Sequence, residues 1–156
     1  MTISEALNLL RALESPILKN VVAGAPFHYA VARNRRLLGD VRDAVRKAVE
    51  NDVRLAEPYD RKRMALAAQC AVLRSGEPAV DASGRLIIGN TAAYAEGLAK
   101  LRAEMPEAAQ ASDRVEAALA DMGGDDAGVS LVTVCTEDVP DLPGAVFDAL
   151  LPMISG

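Results

Sequence analysis

Hydrophobic and polar positions along this chain follow two periods, and the switches between them mark the elements. Ile3, Ala6, Leu7, Leu10 and Leu13 recur at the spacing of one helix face. Thr2 and Glu5 stand where a capping box needs them, the hydroxyl accepting from a first-turn amide and the carboxylate reaching back to the cap. This predicts a helix over about residues 3–15, ended or bent at Pro16. The stretch Ala23-Gly24-Ala25-Pro26 is a breaker. A second, longer helix follows over about 27–55. Its apolar face holds Ala30, Val31, Leu37, Leu38, Val41, Val45, Ala48 and Val49, and its polar face holds Arg33, Arg36, Asp40, Asp43, Arg46, Lys47 and Glu50. Asn34 falls within or beside the apolar stripe, so burial would oblige it to find a hydrogen-bond partner.

Pro58 is expected to interrupt the pattern, and a third helix is read over about 61–73. It is apolar nearly all round after Arg61-Lys62-Arg63, which predicts burial in a core or against another chain. Alternation then replaces the helical period. Residues 79–80 and 85–88 read as a short hairpin about the turn Asp81-Ala82-Ser83-Gly84. Tyr94, Leu98, Leu101 and Met105 restore the helical spacing, and a helical region is expected over about 91–122. Pro106 either kinks it or begins a second helix. Residues 129–135 (VSLVTVC) are the strongest strand pattern and are expected to join the hairpin in one sheet. Pro143 suits a helix start, giving a last helix over about 143–151. The fold class is therefore α+β and mainly helical: a helical hairpin or bundle with a small antiparallel sheet of two or three strands, in a single domain of residues 1–156.

Composition sharpens this in few places. The apolar half of the chain is mostly Ala, Leu and Val, with five aromatic side chains and no Trp, which favours close helix packing over a β-sandwich. No apolar run nears the roughly 20 residues that span a bilayer, so no membrane is expected. The N-terminal residues lack a basic run ahead of an apolar one, so no secretion signal is expected and the setting is read as cytoplasmic. Cys70 and Cys135 form no CxxC pair and are read as small buried hydrophobes. The net charge of −5 is uneven. Residues 1–63 carry twelve Lys/Arg against eight Asp/Glu, and residues 64–156 carry five against fourteen. Solvated faces account for this, as would a basic surface offered to an acidic partner.

Candidate chemistry is sparse. His28 is the lone histidine and no nucleophile elbow accompanies it. Three His and Cys residues scattered over the chain do not make a zinc site. There is no glycine-rich phosphate loop. Asp121, Asp125 and Asp126 lack the spacing and closing Glu of a calcium loop. No catalytic, metal or cofactor site is expected, and the chain is read as non-enzymatic. Arg33, Arg35, Arg36, Arg42, Arg46 and Lys47 form the one clear charge feature. Interleaved acids, a low isoelectric point and the want of stacking aromatics argue against a nucleic-acid binder, which stays as the alternative reading.

The order of the pieces resembles a family of small uncharacterised proteins of tailed bacteriophages and prophages, from about Ala30 onward. The resemblance rests on an arginine-bearing amphipathic helix, then Gly76-Glu77-Pro78-Ala79-Val80-Asp81-Ala82-Ser83-Gly84, then a second amphipathic helix, a strand, and Ala149-Leu150-Leu151-Pro152. It implies a structural, assembly or accessory role in the host cytoplasm or on the virion, exercised through phage or host protein partners. Homo-oligomerisation is expected as well. Residues 64–73, the Ala-rich face from 108 to 119 and the segment 147–154 together are more apolar than one small core absorbs. The expected interaction surface is Leu66, Val72 and Leu73, with Arg33, Arg36, Arg46 and Lys47 as the basic face.

Overall fold

The computed structural model describes residues 1–81 and 85–155. The chain is mainly helical α+β, as the periodicity predicts. In chain order the elements are α1 (Ile3–Leu13), α2 (Pro16–Lys19), α3 (Ala25–Cys70), β1 (Leu73–Arg74), β2 (Glu77–Pro78), α4 (Thr91–Glu104), α5 (Pro106–Gly123), β3 (Val134–Cys135), α6 (Gly144–Leu150) and β4 (Ile154–Ser155). The chain gathers into two compact units. The first is Met1–Ala48 with Leu119–Gly156, the second Val49–Ala118.

The first unit begins as read. Thr2 caps α1, accepting from the Glu5 amide at 3.2 Å while Glu5 accepts from the Thr2 amide at 2.8 Å. Leu9, Leu10 and Leu13 of α1 pack with Phe27 and Leu38 of α3 and with Leu150 and Met153 in one buried cluster. The segment 147–154 is thus largely consumed by this core. Asp125 and Asp126 serve the backbone: the Asp125 carbonyl accepts from the Ile3 amide at 2.9 Å, and the Asp126 carboxylate accepts from Gly128 at 3.1 Å.

The expected break at Pro58 does not occur, and the helices read over 27–55 and 61–73 are parts of one 46-residue helix, α3. Proline forfeits one i→i−4 hydrogen bond. Pro58 is exposed, so the freed carbonyl one turn back is open to water, while Ala56 and Tyr59 on either side are fully buried and pin the helix. Pro106 does begin a second helix, because Met105 leaves helical geometry at φ −132°, ψ 58°.

The strands depart further from expectation. The hairpin turn of β1 and β2 is Ser75-Gly76, both at positive φ (53° and 86°), as a two-residue hairpin loop requires. The pairing expected between 79–80 and 85–88 is present as a Val80–Leu86 bridge, with an Asp81 amide to Arg85 carbonyl bond of 2.8 Å. Its turn, 82–84, lies outside the described residues. Residues 129–135 do not join that hairpin. Only Val134–Cys135 is paired, and in parallel with Ile154–Ser155. The reason lies in Asn34, fully buried on α3. Its side-chain amide donates to the Val132 carbonyl and accepts from the Val132 amide, both at 2.8 Å. A side chain therefore supplies what a neighbouring strand would have supplied. The two cysteines also differ from expectation: Cys70 is buried, but Cys135 is exposed at the edge of β3.

Candidate interaction surface

In the second unit α3, α4 and α5 meet around Tyr59, which is buried with Leu101 and Ala109. Two guanidiniums cover its ring, Arg63 at 5.9 Å and Arg102 at 6.0 Å from the centroid. Arg102 grips Asp113 on α5 through two bonds of 2.6 and 3.0 Å. That hydrogen bonding holds the Asp113 carboxyl below its ordinary range. Arg63 pairs with Glu116 at 2.9 Å and Asp60 at 3.3 Å, and Asp60 accepts from the buried Ser112 hydroxyl at 2.8 Å. The constellation clamps three helices. Sequence reading missed this cluster. Its signals were a lone tyrosine inside a charged stretch of α3 and a serine in the middle of α5.

The residues singled out from sequence fall into three situations. Leu66 is half-buried against Gly97 of α4: a β-carbon on Gly97 would lie 2.8 and 2.9 Å from the two Leu66 methyls. The apolar segment after Pro58 is therefore neither a fully buried core helix nor a free face. Val72 is partly covered in the same way, since a β-carbon on Gly89 would sit 3.0 Å from its Cγ2. Leu73, by contrast, is 63% exposed, and Met64 68%. In the β1–β2 register Leu73 stands opposite Pro78, and Val80 lies two residues further along. Strand periodicity puts these three on one face, and all three are exposed.

Arg33, Arg36, Arg46 and Lys47 are all exposed on α3, in the first unit, and none has an ion pair among the described residues. Two members of the basic run are spent internally. Arg35 donates to the Leu13 carbonyl, and Arg42 pairs with Glu14 at 3.0 Å. Helical spacing also brings exposed Tyr29 into the stripe of Arg33 and Arg36, so one aromatic does lie alongside. Asp40 falls in the same stripe. His28 is exposed and touches Phe27 edge-on at 6.2 Å.

The last feature is a cleft of about 570 Å³ where α4 turns into α5, lined in part by Leu55, Met105, Pro106 and Ala108. Among the described residues no group of His, Cys, Asp or Glu is placed to hold a metal, and no helix is long and apolar enough to cross a membrane. No family model, no curated protein and no solved structure matches this chain.

Proposed function

We propose that this is a non-enzymatic structural, assembly or accessory protein of phage or prophage origin that works through protein contacts. It acts in the host cytoplasm or on the virion, and it self-associates. The phage assignment rests on the sequence resemblance. The contact reading rests on one observation, the exposed apolar face of Leu73, Pro78 and Val80 in the second unit. Water pays an ordering or cavity cost at such a face, and covering it with a second copy removes that cost. Light scattering at micromolar concentration tests this. The expected result is a mass above the 16.4 kDa of one chain. Leu73→Glu is expected to return the chain to monomer with its far-ultraviolet helix signal intact, because Leu73 is 63% exposed and lies outside the helices. A 16.4 kDa particle at every concentration would rule out self-association.

A second reading, a nucleic-acid-binding regulator, is favoured by Arg33 and Arg36 beside Tyr29, with Arg46 and Lys47 about five turns beyond that tyrosine along α3, none of the four in an ion pair among the described residues. Against it stand Asp40 in the same stripe and a net charge of −5. Backbone phosphates bind cations in proportion to the neutralisation they gain. We therefore expect only weak, strongly salt-dependent DNA binding in a gel shift at physiological salt. A sub-micromolar complex, abolished by Arg33→Ala together with Arg36→Ala, would put the regulator first.

A further inference from the structure

We propose that the cleft at the α4–α5 junction seats a basic peptide segment of a partner protein: one large apolar side chain flanked by lysine or arginine. This rests on the reading of the protein as one that works through protein contacts, and it adds the chemistry of one partner. The cleft lies wholly within the second unit, and its 570 Å³ falls in the range of pockets that hold compact ligands.

Three features select the occupant. Part of the lining is apolar, contributed by Leu55 of α3, Met105 at the helix junction, and Pro106 and Ala108 of α5. Leu55 is 56% exposed despite its size, so an entering apolar side chain gains cover that the chain itself does not provide. The charge at the rim is negative. Arg114 lines the cleft, but Asp52 already holds its guanidinium through two bonds of 2.7 and 3.0 Å. Glu104 and Glu107 also line it, both exposed, and neither has an ion pair among the described residues. The free charge facing an occupant is therefore that of two carboxylates, which calls for cationic groups on either side of the apolar anchor. Finally, Pro106 opens α5, and the amides of Glu107 and Ala108 precede the first intrahelical acceptor. Water can serve them, but a peptide carbonyl seated in the cleft can replace it as acceptor, which a simple amine cannot.

Chemical-shift mapping on the full chain tests this with acetyl-Lys-Leu-Lys-amide as the probe and acetyl-Glu-Leu-Glu-amide as its counterpart. The lysine peptide is expected to shift the Met105 and Ala108 methyl signals and the Glu107 and Ala108 amide signals saturably. The glutamate peptide is expected to leave them in place. Glu104→Gln with Glu107→Gln should weaken the lysine peptide about tenfold, the scale of losing two partly exposed charge contacts. Both side chains are exposed, so the fold is expected to survive, and an unchanged amide spectrum away from the cleft checks it. Equal shifts from both peptides, or shifts that the double variant leaves intact, would overturn the charge argument. Shifts by hexylammonium that match those of the lysine peptide would replace the peptide with a small amine and overturn the proposal too. Leu73 does not line the cleft. A chain that is monomeric at every concentration yet binds the lysine peptide therefore overturns self-association alone, and one that self-associates through Leu73 yet shows no lysine-peptide shifts overturns this site alone.

Discussion

Asn34→Leu is expected to lower the melting temperature by about 10 °C, corresponding to roughly 3 kcal/mol in a chain of this size. The substitution keeps the branched heavy-atom skeleton and removes the amide. Val132 then loses the acceptor of its N–H and the donor to its carbonyl, both now bonded at 2.8 Å. No strand lies ready to replace them, because this stretch is paired in a ladder only at Val134 and Cys135. Each backbone group left without a partner in a partly buried place costs about 1–3 kcal/mol, while leucine regains only some apolar contact. Asn34→Asp is expected to do no better at neutral pH. It keeps the acceptor for the Val132 amide but sets a carboxylate oxygen against the Val132 carbonyl. Thermal denaturation gives the magnitude, and hydrogen exchange at the Val132 amide gives the location. A leucine variant that melts within about 2 °C of the parent with Val132 still protected would show that the clamp contributes little.

Gly97→Leu is expected to cost the second unit about 2 kcal/mol, the usual scale of overpacking. Gly97→Ala is expected to be near neutral. There the methyl meets the flexible ends of Leu66, 2.8 and 2.9 Å from an unmoved β-carbon, and the helix gains about 1 kcal/mol of propensity as Leu66 turns aside. A leucine cannot be accommodated by so small a move. Combining it with Leu66→Ala should restore much of the loss, so the double variant is more stable than the sum of the two singles. That non-additivity is the signature of direct contact. Strictly additive losses would place Leu66 and Gly97 apart. The same contact separates the two sequence-selected leucines. Leu66→Glu is expected to melt the second unit, whereas Leu73→Glu leaves it folded.

The capping box at Thr2 and Glu5 and the buried polar need of Asn34 were legible in the sequence, because each is decided within a turn or two of chain, whereas Pro106 read equally as a kink or as a helix start. The candidate surface was legible only in part. Leu73 was picked out as apolar beyond the needs of a core and is exposed. Leu66 carried the same signal and is packed, because its fate depends on Gly97, thirty-one positions away. The clamp about Tyr59 left only faint local signals, a tyrosine in a charged stretch of α3 and a serine inside α5, and the cleft beside Leu55 left none. Their members come from three helices, and none of their spacings repeats a motif.

Hydrophobic period and capping chemistry alone determined that this chain is mainly helical and that its first helix starts after Thr2. Both are properties of neighbouring residues, and local sterics and side-chain spacing suffice for them. Tertiary structure decided that α3 continues through Pro58, since burial of Ala56 and Tyr59 outweighs one lost backbone bond. It decided that the Val132 backbone is held by Asn34 and not by a strand, since a backbone needs only a donor and an acceptor at the right spacing and a buried amide offers both. It also decided which apolar side chains remain uncovered. That depends on what the rest of the chain brings against them, and no run of adjacent residues contains that information.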